Sequence, residues 1–288
     1  MSNTTPPTER PPVGSLICAA LNEYVENESI DLPVLPEVAS QVITASMDAE
    51  CDLRRLTAVI ERDPSMTGHL LRLANSALYS STMEITSLQQ ALNRLGLKKI
   101  RELALIISCE SRVFHVDGYD LAVRALFRHS LVTAAFNQEL AKRHGMNAEE
   151  AFLCGLLHDV GRPVLIQAIA DLREKLEIEV GRAAVEDLCA EHHCRVGARL
   201  VESWRLPSRI GEAILHHHEP AQAYDCWREA MMIRLAADLS HLTLGKPGTD
   251  EEQIRSHPAV GALGIAEDEV ERLLTHRDAV RAAVDSVA

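Results

Sequence analysis

Hydrophobic positions recur at helical spacing along most of the chain. Between residues 52 and 62, apolar side chains stand three or four positions apart, at Leu53, Leu56, Val59 and Ile60. This spacing places them on one face of a helix. No convincing run alternates polar and apolar positions as a strand would. The pattern therefore predicts an all-α fold of packed helices.

Capping residues mark where the predicted helices begin and end. Asp63-Pro64 and Ser87-Leu-Gln-Gln90 are typical helix starts, and Asn147 begins a variant with Asn at the cap. Gly96 is typical of a helix end. With the apolar spacing, these signals predict helices over residues 15–28, from 36, 52–62, 64–78, 88–96, 97–114, 120–143, from 148, 182–204, 207–217, 223–243, 250–255 and 267–287.

The predicted helices group into two packed helical subdomains. Residues 1–13 are rich in Pro and Thr and are expected to form a disordered tail. An N-terminal helical subdomain is expected over 14–117, a histidine-bearing one over 118–243 and a helical extension over 244–288. Only Val116-Asp-Gly-Tyr119 separates the two subdomains. That segment is too short for a free linker, so the subdomains are expected to pack as one unit.

Composition narrows the class of protein. Hydrophobic residues make up 47% of the 288 residues but aromatic residues only 3%, so Ala, Leu, Val and Ile must fill the core. A formal net charge of −13 argues against strong nucleic-acid binding, because neutralising phosphates requires surplus Lys and Arg. The longest purely apolar run, Leu103 to Ile107, is far too short to cross a bilayer. We therefore expect a cytoplasmic protein without a membrane partner.

The seven cysteines are odd in number, widely spaced and free of any CxxC pair. This usage is typical of reduced core thiols in a cytoplasmic protein. The segment Cys189-Ala-Glu-His-His-Cys194 combines cysteine and histidine, but its spacing matches no usual structural zinc site. Zinc bound through these two cysteines is therefore not expected.

Histidine and aspartate positions form an ordered series along the second half of the chain. The series is His129, His158-Asp159, His192-His193, His216-His217-His218 and Asp238. Imidazole and carboxylate groups are ligands for Mn, Fe and Zn, and facing helices of a bundle often supply such sites. Any one histidine alone is more typical of a core or boundary position. The full series favours one divalent-metal pocket, and the residues alone leave open which members of the His192-His193 and His216–His218 runs belong to it.

These residues resemble a known superfamily. His129, His158-Asp159 and Asp238 match the H…HD…D signature of the HD metal-phosphohydrolases. Four N-terminal segments resemble the HDOD (HD-related output domain) pattern: Leu32-Pro-Val-Leu-Pro36, Ile60-Glu-Arg-Asp-Pro64, Leu70-Leu-Arg-Leu-Ala-Asn-Ser76 and Ala91-Leu-Asn-Arg-Leu-Gly96. The resemblance to the HDOD family covers about residues 29 to 240. It implies an all-α fold whose second subdomain is an HD-superfamily helical bundle, and a role in bacterial signal transduction or gene regulation.

The histidine series also resembles that of the HD-GYP cyclic-di-GMP phosphodiesterases. Carried over position by position, this resemblance implies the metal ligands His129, His158, Asp159, His193, His217, His218 and Asp238. Arg162 stands where that group has Lys, and Ala125 stands where its three-metal members have Glu. The Gly-Tyr-Pro motif is absent, because Glu219-Pro-Ala-Gln-Ala-Tyr224 follows the histidine run. These departures disfavour cyclic-di-GMP hydrolysis and permit a bound metal.

Two functions follow from these resemblances. The first is a non-catalytic regulatory module that binds a signalling protein or a nucleotide-type ligand, with a divalent metal in the HD site. The alternative is a metal-dependent phosphohydrolase or phosphodiesterase acting on a cyclic dinucleotide or nucleotide. In the alternative, Asp159 would lie between ions or orient the water, and Arg162 would stabilise phosphate charge. A purely structural helical adaptor is a third possibility.

Overall fold

The structure is a computed structural model, and it describes residues 20, 21, 23, 27, 29–46, 53–76, 84–177 and 179–286. Helices dominate the described part of the chain, and no residue within it lies in a β-strand. The all-α prediction is confirmed. The predicted disordered tail lies outside the described residues, and so does most of the predicted helix over 15–28.

Within the described residues, four helices with described bounds precede the histidine-bearing region. They are α1 (Glu37–Ser46), α2 (Leu53–Glu61), α3 (Pro64–Ala74) and α4 (Leu88–Ser108), and a π-helical turn follows over Cys109–Val113. Two predicted caps are confirmed. Asp63 accepts a hydrogen bond from the backbone N–H of Met66, and Ser87 accepts one from Gln90. These bonds satisfy amide groups that have no partner inside the helix.

The remaining helices form the histidine-bearing bundle and the segment after it. They are α5 (Asp120–Arg143), α6 (Ala148–Leu157), α7 (Gly161–Leu176), α8 (Arg182–Ser203), α9 (Ser208–Leu215), α10 (Trp227–Thr243), α11 (Glu251–Arg255), α12 (Pro258–Leu263), α13 (Glu267–Thr275) and α14 (Arg277–Asp285). A 3-10 turn over Pro220–Gln222 joins α9 to α10. The predicted cap at Asn147 is confirmed, since its side chain accepts from Glu149 and Glu150.

Some predicted boundaries were wrong. Gly96 breaks the backbone with φ 75°, as expected of a helix end, but helical bonding continues across this kink within α4. The single helix expected over 267–287 is interrupted at His276, which ends α13 and precedes α14. Helices α7 and α12 were not predicted. Pro163 lies in the first turn of α7, where Pro is tolerated.

Two glycines bring the helices of the bundle into close contact. A Cβ atom on Gly155 would lie 2.6 Å from the Cα atom of Ala134, so α6 can approach α5 only because this side chain is missing. A Cβ atom on Gly161 would lie 2.1 Å from the carbonyl oxygen of His193, which sets the approach of α7 to α8. The turn between α6 and α7 is therefore held between α5 and α8.

Side-chain bonds connect the first helices to the bundle. The indole Nε1 of Trp204, at the end of α8, donates to the carbonyl oxygen of Pro33 at 2.8 Å. Arg101 on α4 donates to Glu149 on α6 at 2.7 Å. The segment Ala148–Leu176 has the mean hydropathy and length of a membrane span, but 83% of its most apolar window is buried inside the protein. A buried core helix can have the same length and mean hydropathy as a membrane span.

Candidate metal centre

Six of the seven sequence-predicted ligands come from four places around the bundle and converge inside it. His129 lies on α5, His158 and Asp159 lie in the turn between α6 and α7, and His193 lies on α8. His217 and His218 follow α9. The side chains of His129, His158, His193 and His217 are at most 2% exposed. The convergence is therefore in the interior of the bundle, and His218 lies at its exposed edge.

The first group of candidate ligands is His129, His158 and Asp159. Their ligand atoms all lie within 4.8 Å of one another. The Nε2 atoms of His129 and His158 are 3.2 Å apart. Asp159 Oδ2 lies 3.9 Å from His129 Nε2 and 3.7 Å from His158 Nε2. Three protein ligands at this spacing leave coordination positions open on an ion.

The second group is His193, Cys194, His217 and His218, whose ligand atoms also lie within 4.8 Å of one another. The Nε2 atoms of His193 and His218 are 3.0 Å apart. Cys194 Sγ lies 3.4 Å from His193 Nε2. The rings of His193 and His217 meet edge to face, with centroids 5.4 Å apart.

Asp159 connects the two groups, because its two carboxylate oxygens face different partners. Oδ2 faces His129 and His158, whereas Oδ1 lies 3.3 Å from His193 Nε2. Oδ1 also lies 2.9 Å from Nε of Arg162, one turn further along the chain. One oxygen of Asp159 therefore faces each of the two groups of candidate ligands.

Hydrogen bonds fix how the histidine rings are oriented. The Nδ1 atoms of His158, His193 and His217 donate to the carbonyl oxygens of Gly155, Cys189 and Ile214. His129 Nδ1 bonds the Ser240 hydroxyl, which itself donates to the His129 carbonyl oxygen. Ser240 therefore accepts from Nδ1. In all four rings the proton is thus assigned to Nδ1, and the Nε2 lone pair points into the centre, as in histidines that bind metal.

Burial keeps these imidazoles neutral. It lowers the pKa of His158, of His218 and of His193, the last to about 4, and it holds the pKa values of His129 and His217 well below the usual range. Burial alone would raise the pKa of Asp159, but the neighbouring His158 and Arg162 lower it further than burial raises it. The centre therefore presents neutral imidazoles and a carboxylate anion, which are the ligand forms that bind a cation.

The residues fit a divalent ion. Nitrogen ligands of one tetrahedral zinc ion lie about 3.3 Å apart. The two Nε2–Nε2 separations of 3.2 Å and 3.0 Å are close to this value. In addition, Nε2 of His217 is buried and has no hydrogen-bond partner. A buried lone pair without a partner is costly, and an ion at this position would satisfy it.

Asp238, the seventh predicted ligand, lies beside the centre and has other partners. Its Oδ2 is 3.4 Å from His257 Nε2, and its Oδ1 is 3.7 Å from His241 Nδ1. These neighbours lower the pKa of Asp238, against the effect of its partial burial. The His241 ring stacks on the ring of His129 at 4.5 Å. Asp238 therefore reaches the first group through His241 and is not among its converging ligand atoms.

Sequence reasoning missed other members of the centre. Cys194 lies among the second-group histidines, although the spacing of Cys189 and Cys194 gave no sign of it. Ser240 was also missed as the partner of His129. The position of Asp238 gave no signal for Ser240, because residues two positions apart point to opposite sides of a helix. The two groups contain His193 and His217, whereas His192 and His216 lie outside both among the described residues.

Two cationic side chains contact the centre, and a third lies near it. Arg162 contacts Asp159, and Arg234 donates to the carbonyl oxygen of His218 at 3.3 Å. Lys246 lies in the loop after α10. Burial lowers the pKa of Lys246, and the nearby negative charge of Asp159 opposes this effect. Arg and Lys bind phosphate oxygens by charge-assisted hydrogen bonds. These side chains give the edge of the centre positive charge, although the protein as a whole is acidic.

An all-helical bundle that gathers His129, His158-Asp159 and later histidines belongs to the HD type. The sequence profile of the HDOD domain matches residues 32–220, about two thirds of the chain. The chain belongs to the HDOD family, as the sequence resemblance predicted.

Solved structures agree with this assignment. An HDOD domain protein of unknown function from Geobacter sulfurreducens is 25% identical and superimposes with a TM-score of 0.70 over 94% of this chain and 99% of the other. A proposed metal-dependent phosphohydrolase from Shewanella amazonensis SB2B superimposes with a TM-score of 0.72 over 94% and 99% of the two chains. Because identity to the second protein is 18%, that likeness shows the shared fold alone.

The curated relatives are longer proteins than this chain. An uncharacterized protein of Treponema pallidum is 28% identical over 196 residues, which are 65% of this chain and 38% of the relative. Ribonuclease Y of Thermus thermophilus is 26% identical over 132 residues, 46% of this chain and 18% of that enzyme. The chain thus spans less than half the length of these relatives.

Proposed function

We propose that this chain is a cytoplasmic bacterial regulatory protein that binds a divalent metal ion (Mn, Fe or Zn) and responds to a signalling protein or a nucleotide-type ligand without catalysing a reaction. The observation that carries the proposal is the burial of the candidate ligands. His129, His158, His193 and His217 are almost fully enclosed, and Asp159 is only 6% exposed. A substrate would have little access to a water molecule held at this depth.

The metal would act mainly on the fold. His129, His158 and Asp159 come from α5 and the α6–α7 turn, whereas His193 and His217 come from α8 and the end of α9. An ion bound by residues of separate helices cross-links them and adds its binding free energy to that of folding. When bound, a divalent ion also supplies a positive charge that attracts phosphate oxygens.

The cationic edge supports a nucleotide-type ligand. Arg162 contacts Asp159, Arg234 contacts the backbone of His218, and the charge of Lys246 is felt by Asp159. A phosphate group bound here would contact Arg162 without entering the buried centre. A signalling partner would then sense the ligand through the position of α8 or of the loop after α10.

The test begins with the metal content of protein purified without added metal. We expect at least one Mn, Fe or Zn ion per chain, and a lower metal content in a His158→Ala, Asp159→Ala double variant, which removes two ligands of the first group and leaves the second group intact. A His193→Ala variant tests the second group in the same way. Its matched control is His192→Ala, because His192 is also buried but lies outside both groups. Wild-type protein without stoichiometric metal would contradict the metal-binding part of the proposal.

A phosphohydrolase is the second candidate, and the position of Asp159 favours it. The two oxygens of Asp159 face different groups of histidines, and Arg162 lies beside one of them. Metal-loaded protein should therefore be tested on bis-(p-nitrophenyl) phosphate, cyclic-di-GMP and single-stranded RNA, the last because a relative is a ribonuclease. Hydrolysis that disappears in Asp159→Asn would favour the enzyme over the non-catalytic proposal.

A further inference from the structure

Cys194 stands in the candidate metal centre in a position that the histidine series does not account for. Its Sγ atom lies 3.4 Å from His193 Nε2 and 3.7 Å from His217 Nδ1. Cys109, Cys154, Cys189 and Cys226 are also free thiols, but among the described residues only Cys194 belongs to a group of converging ligand atoms. The thiol is therefore placed beside the imidazoles of the second group.

The distance from Sγ to nitrogen fits shared coordination. Sulfur and nitrogen ligands of one tetrahedral zinc ion lie about 3.5 Å apart, since zinc–sulfur and zinc–nitrogen bonds differ by about 0.2–0.3 Å. The observed 3.4 Å between Cys194 Sγ and His193 Nε2 is close to this value. The 3.0 Å between His193 Nε2 and His218 Nε2 is compatible with the same ion. The second group therefore offers four donor side chains, the number that a tetrahedral site needs.

The two groups then differ in chemistry. The first group offers two nitrogens and one carboxylate and leaves positions open, as in catalytic or exchanging sites. The second offers three nitrogens and one sulfur and leaves none. Thiolate ligands select Zn and other soft ions, whereas carboxylate and water suit Mn.

We propose that Cys194 is a metal ligand and that it makes the second group a closed site selective for Zn²⁺ over Mn²⁺. The inference rests on the proposed metal-binding function. On binding, the Cys194 Sγ–H proton is released to solvent, and the thiolate takes its place as the fourth donor beside His193, His217 and His218. No oxidation or reduction is involved.

Cobalt(II) tests this inference directly, because a Co²⁺–thiolate bond gives a charge-transfer absorption in the near ultraviolet that nitrogen and oxygen ligands do not give. Metal-free full-length protein is titrated with Co²⁺, and its near-ultraviolet and visible absorption are recorded. We expect visible bands from bound Co²⁺ together with a charge-transfer band of one thiolate. The near-ultraviolet band should be absent in Cys194→Ser and unchanged in Cys226→Ser. The Cys226 thiol is buried, donates to Glu212 and lies outside the centre.

A second variant keeps the test independent of folding defects. Cys194→Asp supplies an oxygen ligand in place of sulfur, so the preference for Zn²⁺ over Mn²⁺ in direct competition should fall at least about tenfold. Circular dichroism checks that each variant is folded. Visible cobalt bands without a charge-transfer band in the wild type, or a band that persists in Cys194→Ser, would overturn the role of Cys194. Absence of all cobalt binding would instead overturn the metal centre itself.

Discussion

The Nε2 atoms of His129 and His158 face each other at 3.2 Å, although both rings use Nδ1 for other hydrogen bonds. Two neutral imidazoles in this orientation bring lone pair against lone pair. A proton or a metal ion between them would relieve the repulsion, and burial opposes the proton by lowering the pKa of both groups. The pair is therefore arranged for a metal ion.

Metal removal should destabilise the protein. Because the ion binds the folded state, chelation is expected to lower the melting temperature, and adding back Zn²⁺ or Mn²⁺ should restore it. At a free metal concentration one hundred times the dissociation constant, the gain is about 2.7 kcal/mol. Differential scanning calorimetry with and without chelator measures this change. A melting temperature that ignores both treatments would contradict the prediction, and His158→Ala should reduce the response, because the first group then lacks a ligand.

Ser240→Ala should weaken metal binding without removing a ligand. The Ser240 hydroxyl accepts from His129 Nδ1 and so holds the ring with Nε2 toward His158. Loss of such an outer partner typically reduces metal affinity about 10–100-fold. Competition with a chromophoric chelator measures the affinity. Ser203→Ala is the control, because Ser203 also bonds a helix carbonyl oxygen but lies at the end of α8; an equal loss there would contradict the assignment.

Asp238→Asn distinguishes two roles for Asp238. The family resemblance implies a metal ligand, whereas the contacts indicate a residue that positions His241 beside His129. Asp238 lies beside His257 and His241, and His241 stacks on His129. We therefore expect a modest loss of metal affinity, of about tenfold, while the bound metal per chain stays stoichiometric at saturating ion. Titration calorimetry distinguishes the outcomes. Loss of metal as complete as in Asp159→Asn would instead make Asp238 a direct ligand.

Gly161→Ala should be strongly destabilising. The new Cβ would lie 2.1 Å from the carbonyl oxygen of His193, which is backbone and cannot move away without separating α7 from α8. Overpacking of this kind costs about 1–3 kcal/mol or more. Gly261→Ala is the matched control, because nothing lies within 4 Å of its added Cβ, and helix propensity should make it neutral or stabilising. Urea unfolding of both variants measures the difference, and equal stabilities would be contrary to the structure.

Acid should destabilise the metal-free protein before its carboxylates are protonated. The pKa of His193 falls from its ordinary value of 6.5 to about 4 because the ring is buried. The unfolded chain then binds a proton that the folded chain does not, so stability decreases as the pH falls from about 6.5 to about 4. This histidine alone accounts for about 3 kcal/mol.

Asp159 acts in the same direction at lower pH. Its pKa is also lowered in the folded state, so its contribution is lost below about pH 4. Unfolding free energies between pH 7.5 and 4.5 test the histidine effect, and His193→Asn should show a shallower decrease than wild type. A wild-type free energy that is constant over this range would contradict the burial of the neutral rings.

Local interactions made much of the fold predictable. The helix over Asp120–Arg143 was expected at its observed bounds, and the caps at Asp63, Ser87 and Asn147 lie where the sequence placed them. Helix periodicity and capping depend on residues within a few positions, which the sequence shows directly. The break at His276 was missed because no Gly or Pro marks it there.

By itself the sequence determined the helical class and the histidines and aspartates available to a metal, because these follow from residue types and short spacings. Only the tertiary structure decided which of them meet. Neighbours such as His192 and His193 point about 100° apart on a helix, so the approach of α7 to α8 at Gly161 selects His193. The same packing brings Cys194 in and leaves Asp238 with His257, because distances between separate helices depend on the whole bundle and not on any one segment.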